Sequence, residues 1–124
     1  MRRVLAVIAA CVVAYVAITV FLVYQDMGMR NKVSSVLSPA VLYRDQVEAA
    51  VREGRPPPPQ PAKLGPYTRA LYARPDGSVV IEVADDLVPG GSIFFTPART
   101  AKGIEWKCSA QQIPPKYLPG TCRD

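Results

Sequence analysis

The feature that most constrains this chain is an uncharged apolar run close to its N-terminus. The run covers residues 4–24; Val4 begins it, Tyr24 ends it, and Arg2 and Arg3 precede it. About 20 helical residues span the hydrocarbon core of a bilayer, whereas the apolar part of a secretory signal has about 7–15 residues before a cleavage site of small residues. The run is long and ends in bulky residues, so we predict a retained transmembrane helix with its basic end in the cytoplasm.

The helical pattern continues beyond the apolar run, in residues 25–53. Apolar residues recur there at alternating spacings of four and three, which places them on one helix face. This stripe consists of Met29, Val33, Val36, Ala40, Tyr43, Val47 and Ala50. Gly54 suits a helix end, and Pro39 lacks a helix N–H and predicts a kink. We therefore predict one helix of about 50 residues, half membrane-spanning and half amphipathic.

The pattern then changes to extended chain. The connection 55–66 contains PPPPQP, which favours a stiff polyproline-like spacer, although such segments also bind peptide-recognition grooves. Residues 67–108 contain four β-rich segments joined by turns, and TPARTAKG (96–103) is predicted as a loop. The predicted strands are 67–74, 78–84, 92–95 and 104–108. The expected fold is α+β, with the helix packed on a four-stranded antiparallel sheet.

Composition excludes most catalytic chemistry. The 124-residue chain contains no histidine, so the commonest general base and metal ligand is missing. Its net charge is +5, but the cations do not cluster with aromatic residues as nucleic-acid binding requires. Asp85 and Asp86 could contribute to a cation site, but a solvated turn explains them better. We expect no enzyme activity, no metal or other cofactor, and no nucleic-acid partner.

The cysteines indicate the compartment of the folded part. Cys11 lies within the apolar run, where it serves as a small apolar residue. If residues 25–124 lie in an oxidising periplasm, Cys108 and Cys122 are expected to form a disulfide. The alternative is two free thiols. The predicted parts are a transmembrane half (1–24) and an outer domain (25–124) that contains helix 25–53, connection 55–66, sheet 67–108 and disulfide loop 108–122.

Three stretches together resemble the type IV pilin family. YQDMGMRNKVSSVL (24–37) resembles the continuation of the pilin membrane helix, and residues 76–97 resemble the central strands. GIEWKCSAQQIPPKYLPGTC (103–122) resembles the last strand and its disulfide loop. The residues that carry the first and third matches are Tyr24, Gln25, Asp26, Gly103, Ile104, Trp106, Cys108, Ile113, Tyr117, Leu118, Pro119 and Cys122.

The N-terminal part departs from the family pattern. Aligned through Tyr24, Met1 falls at the family's first phenylalanine, Leu5 at its membrane glutamate, and Leu22 at its helix-kinking proline. A pilin precursor also carries a short basic leader that ends in glycine, and we expect that leader to be lacking here. Because an intramembrane charge usually marks function, its loss predicts firmer anchoring and weaker entry into a fibre.

The resemblance implies a structural or interaction protein of a type IV pilus or related system, anchored in the bacterial inner membrane. Its expected partners are other pilin subunits or pilus assembly components, and its folded domain faces the periplasm or the fibre surface. One alternative is a regulator that stays in the inner membrane. Another is an adhesion or ligand-binding module on a membrane stalk.

Overall fold

A computed structural model describes residues 1–123 as a long helix followed by an antiparallel sheet. Helix α1 is Arg2–Arg52, and the strands are β1 (Thr68–Ala73), β2 (Val79–Val83), β3 (Ser92–Thr100) and β4 (Gly103–Gln111). The strands lie in the order β1-β2-β3-β4, and each pairs antiparallel with its neighbour. Two short 3-10 turns follow, η1 (Pro115–Tyr117) and η2 (Gly120–Cys122). The predicted α+β fold is confirmed.

The second half of α1 packs on the sheet through the predicted stripe. Six of the seven stripe residues are at most 3% exposed, and Met29 is partly buried. Ile81 and Ile93, from the two central strands, are fully buried in the same core. The helix passes through Pro39 and ends before Gly54, whose φ of +68° suits glycine. We call the unit that residues 25–123 form the head.

The β1–β2 hairpin follows from its turn residues. Asp76 accepts a hydrogen bond from the Ser78 N–H through Oδ1 at 2.9 Å, and Gly77 takes a φ of +91°. This contact lowers the pKa of Asp76 below its usual value, because the ionised carboxylate is the better acceptor. In β2, Val79, Ile81 and Val83 all lie in the shared core. These alternate residues of β2 thus place one face of the hairpin on α1.

The loop prediction for residues 96–103 is wrong. β3 continues to Thr100, β4 begins at Gly103, and Pro97 lies opposite Trp106 within this hairpin. The Val83 N–H donates to the Gly91 carbonyl at 3.0 Å, so odd-numbered residues of β3 direct their backbone groups towards β2. Pairing with β2 ends at Phe95, and Pro97 lies beyond it. The missing proline N–H therefore costs no ladder hydrogen bond, and the strand can continue.

The C-terminal loop returns to the sheet through a disulfide. Cys108 on β4 and Cys122 in η2 are bonded, with their Cα atoms 4.7 Å apart, and both are buried. Ile113 and Leu118, between the two cysteines, are buried in the core of the head. The predicted disulfide is confirmed. The loop is thereby part of the head, and η1 comes to lie against α1.

Candidate functional site

The largest chemically distinctive surface is the first half of α1. From Val4 to Tyr24 the large apolar side chains are 52–77% exposed. We call residues 4–24 the exposed apolar half. By length and composition α1 can cross a membrane, and it is the one such helix in the described chain. Apolar surfaces of this size are rare on soluble monomers and typically mark sites of contact with a membrane or another protein.

Charges lie only at the ends of this half. Arg2 and Arg3 precede it, and Asp26 is the next charged residue along the chain. Leu5 and Leu22 are 63% and 54% exposed on the helix surface. At 1.5 Å per residue, 21 helical residues extend about 31 Å, close to the thickness of the hydrocarbon core.

The head closes onto α1 just beyond the exposed apolar half. Asp26 Oδ1 accepts a hydrogen bond from the Tyr117 hydroxyl at 3.4 Å and lies 3.4 Å from Lys116 Nζ. Arg30 donates through Nε to the Lys116 carbonyl. We call this set of contacts the α1–η1 clasp. It brings together Asp26 and Tyr117, which are 91 positions apart in the sequence.

Electrostatics support the clasp. Hydrogen bonding to Tyr117, followed by the interactions with Asp26, raises the pKa of the Lys116 ammonium above its usual value of 10.5. The ammonium also lies 5.0 Å from the centroid of the Tyr117 ring. The Lys116 and Asp26 side chains are 55% and 45% exposed to solvent, so their ion pair is individually weak.

A recess opens beneath the head, beside the clasp. Its volume is about 490 Å³, and it lies between α1 and Tyr117. We call it the junction niche, and its lining residues are Tyr24, Gln25, Asp26, Gly28, Met29, Lys32 and Tyr117. The Lys32 ammonium lies 5.7 Å from the centroid of the Tyr67 ring. A side chain at Gly28 would meet no atom of the described residues within 4 Å of its Cβ, so the niche is open there.

The residues that carry the pilin resemblance occupy two separate places. Tyr24, Gln25, Asp26 and Tyr117 line the junction niche. The others lie on β4 or in the loop that follows it: Gly103, Ile104, Trp106, Cys108, Ile113, Leu118, Pro119 and Cys122. Leu118 is buried in the core, and Gly103 takes a φ of +122° at the β3–β4 turn. These residues therefore do not form one site; the second group builds the hairpin and the loop.

Trp106 takes part in an aromatic–cation cluster on the sheet. The Arg44 guanidinium lies 5.1 Å from the Phe95 ring centroid and 5.7 Å from that of Trp106. Within residues 1–123, Arg44 Nε and Trp106 Nε1 are buried without a hydrogen-bond acceptor. Stacking on the two rings favours the guanidinium there. The contacts hold α1 against β3 and β4.

The proline-rich connection lies along α1. The Tyr43 hydroxyl donates a hydrogen bond to the Pro58 carbonyl at 2.7 Å, and burial raises the pKa of Tyr43 above its ordinary value of 10.0. A cavity of about 310 Å³ lies between this connection, α1 and β1, with Leu42 and Leu64 in its lining. In the structure this hydrogen bond ties the connection to the helix.

Sequence reasoning did not single out Arg30, Lys32, Lys116 or Arg44. The first two belong to the YQDMGMRNKVSSVL stretch, so their proximity to the membrane segment was a visible signal. The roles of Lys116 and Arg44 depend on contacts between distant segments. Among residues 1–123, no group of three or more His, Cys, Asp or Glu residues is placed to hold a metal ion.

Comparison with known families agrees with this architecture. The family model for pilin, a bacterial filament protein, matches residues 29–123. The matched region begins within the amphipathic half of α1 and includes the sheet and the disulfide loop. No curated protein matches the chain. Pilins are structural proteins rather than enzymes. With most of its length matched by that family model, this chain belongs to the pilin family of bacterial filaments.

Proposed function

We propose that this pilin is a membrane-anchored subunit that packs its N-terminal helix against other pilin helices in a type IV pilus or a related filament. The exposed apolar half of α1 is the main support for the proposal, because its large side chains are uncovered whereas the stripe of the second half is buried in the head. In a bilayer, lipid would cover this surface. In a filament, neighbouring apolar helices would replace the lipid, so the same side chains serve both states.

The proposed orientation places residues 1–24 in the inner membrane and residues 25–124 in the periplasm. Arg2 and Arg3 favour a cytoplasmic N-terminus. Tyr24 suits the opposite interface, where an aromatic ring can hold its hydroxyl in water. The Cys108–Cys122 disulfide agrees with an oxidising compartment for the head.

A second candidate function is a regulator that binds pilins or assembly components in the inner membrane without joining the filament. Leu5 favours it, since this residue lies where the resemblance places a membrane glutamate. In pilins that glutamate is thought to neutralise the N-terminus of a neighbouring subunit. Leucine cannot pair with a charge, and it lowers the cost of remaining in lipid.

Filament shearing tests the proposed subunit role. The full chain, expressed in cells that assemble the filament, is quantified by mass spectrometry in sheared filaments and in inner membranes. A subunit is expected in both fractions, at a constant ratio to the major pilin in the sheared one. Recovery from the membrane fraction alone, together with crosslinks to pilins there, would reject the subunit role in favour of the regulator.

Substitution of Leu5→Glu sharpens this experiment. If the missing charge limits entry into the filament, the variant should raise the sheared-to-membrane ratio severalfold. Val12→Glu is the matched control, because it adds the same charge to the same apolar half at another helical position. An equal ratio for both variants would show that position 5 has no special role in assembly.

A further inference from the structure

We propose that the junction niche binds the phosphate headgroup of an anionic phospholipid and thereby seats the head on the membrane surface. The inference rests on the proposed membrane anchoring and adds a ligand and a site to it. The niche contains aromatic, apolar and cationic groups, which match the chemistry of a headgroup and the first part of its acyl chains, and the carboxylate in its lining, Asp26, is paired with Lys116.

The first support for the proposal is the position of the niche along α1, which is the depth of the lipid headgroups. The exposed apolar half is about 31 Å long, so Tyr24 lies at the edge of the hydrocarbon core when Val4 lies at the other edge. The headgroup region adds about 5–7 Å on each side. The Cα atoms of Gln25 to Met29 therefore lie at headgroup depth, and these residues include four of the niche's lining residues.

The second support is the positive charge around the niche. Three cations surround the niche: Lys32 lines it, and Arg30 and Lys116 belong to the adjacent clasp. Within residues 1–123, the salt bridge at this surface joins Lys116 to Asp26, and Lys32 instead lies near the Tyr67 ring. An ammonium has three donors and a guanidinium five, so Lys116 and Arg30 can bind a phosphate while they keep their clasp contacts.

The third support is the shape of the niche, which has room for a headgroup. Gly28 leaves space against α1, and the partly buried side chains of Met29 and Tyr117 contribute to the lining of the niche. With a volume of about 490 Å³, the niche can admit a phosphate ester together with its glycerol. Met29 and the ring of Tyr24 suit the glycerol and the proximal methylenes, since both offer apolar contact at the interface.

Native mass spectrometry of the detergent-solubilised full chain tests the proposal. The chain is titrated with phosphatidylglycerol or with phosphatidylcholine of the same acyl chains. Since one basic residue near an anionic surface changes lipid binding by about fivefold, phosphatidylglycerol should be retained at least about fivefold more strongly. Equal retention of the two lipids would overturn the proposal. Displacement of phosphatidylglycerol by millimolar inorganic phosphate would also overturn it, because the niche would then select a free anion.

Lys32→Gln isolates the contribution of charge. The variant keeps a side chain of similar length and leaves the clasp contacts in place, and we expect about a fivefold loss of phosphatidylglycerol retention. Lys32→Arg should restore the wild-type value. Lys102→Gln is the matched control, since it removes the same charge at the exposed β3–β4 turn. An equal loss for the Lys32→Gln and Lys102→Gln variants would reduce the effect to net charge and reject a specific niche.

Gly28→Leu isolates the contribution of shape. Leucine favours helix, so the substitution should not unfold α1, but its side chain would fill the niche without changing a charge. We expect the preference for phosphatidylglycerol to fall as far as in the Lys32→Gln variant. Unchanged retention would reject the niche as the binding site.

Flotation with phosphatidylcholine liposomes separates this inference from the membrane anchor. The wild type and all four variants should float, because the exposed apolar half is the same in each. A chain that fails to float would refute the anchor, and the niche proposal with it. A chain that floats without preferring phosphatidylglycerol would refute the niche proposal alone.

Discussion

The two halves of α1 use similar residues for opposite purposes. Val13, near the middle of the exposed apolar half, is 69% exposed, whereas Val47, in the stripe, is fully buried. The first half is apolar around its whole circumference, and the second is apolar on one face only. A uniformly apolar helix suits lipid or a bundle, and a striped helix suits a sheet. The arrangement of the apolar residues, rather than their identity, therefore distinguishes the exposed apolar half from the half that packs on the sheet.

The largest expected effects come from one substitution made in each half. Val47→Asp places an unpaired carboxylate in the core and should destabilise the head by about 3–5 kcal/mol. Val13→Asp changes the free energy of unfolding of the head by less than about 0.5 kcal/mol, because the side chain has no contact with the head. It should weaken membrane insertion by about 3 kcal/mol. Chemical denaturation in detergent and liposome flotation measure the two effects.

Two outcomes for this pair of variants would contradict the difference between the two halves of α1. If Val13→Asp destabilised the head as much as Val47→Asp, the two halves of α1 would unfold as one cooperative unit. If Val47→Asp reduced flotation without unfolding the head, the stripe would be a membrane surface and its burial in the head would be wrong.

A smaller loss of stability is expected when the cysteines are replaced. The cysteine of the exposed apolar half is free, whereas the two in the head form a disulfide. Replacement of both Cys108 and Cys122 by serine should destabilise the head by about 3 kcal/mol, because the unfolded chain gains the freedom of a loop of roughly 15 residues. Cys11→Ser is the control in the exposed apolar half, where the thiol is free. Denaturant unfolding with and without reductant measures both. Equal stability of the double variant and the wild type would contradict a structural role for the bridge.

The smallest effect is expected at the α1–η1 clasp, where the two halves meet. Asp26→Asn should lower the unfolding midpoint slightly at low salt and not at all in 1 M salt, since exposed ion pairs are screened. The raised pKa of Lys116 adds a pH dependence: its contribution is complete below 10.5 and is lost as the pH rises through the higher folded value.

Unfolding midpoints between pH 8 and 11.5 test this dependence. The wild type should lose more stability over that range than the Asp26→Asn variant, because the variant lacks the carboxylate that favours the charged ammonium. Lys102→Gln is the control, and it should follow the wild type. Identical pH profiles for the wild type and the Asp26→Asn variant would show that Asp26 does not couple to Lys116.

Local patterns predicted most of the fold. The period of the stripe identified the buried face of α1, and the β-rich segments joined by turns identified the antiparallel sheet. The loop prediction for residues 96–103 failed at Pro97, because a proline in an isolated segment usually indicates the end of a strand. That proline is tolerated because β3 extends beyond β2 and the missing N–H lies on the unpaired side. The segment that contains Pro97 does not determine which strands pair or where the pairing ends, because both depend on β2 and β4 as well.

The candidate sites were less predictable than the fold. The exposed apolar half is continuous in sequence, so its length and composition were sufficient to find it. The junction niche combines Gly28 and Lys32 of α1 with Tyr117 of η1, and the clasp adds Asp26 and Lys116. Neither recess nor contact exists until the disulfide loop has folded back onto α1. The sequence therefore showed that these stretches resemble pilins, but it did not show how their residues are arranged in space.

By itself, the sequence determined that a long helix changes from uniformly apolar to striped and that a β-rich domain follows. Both conclusions depend on periodicity and turn chemistry, which act between near neighbours in the chain. Only the tertiary structure decided that β3 and β4 form a long hairpin and that η1 closes against α1 to leave a recess beneath the head. Those features depend on contacts between segments up to 91 residues apart, whose free energy appears only when the chain is folded.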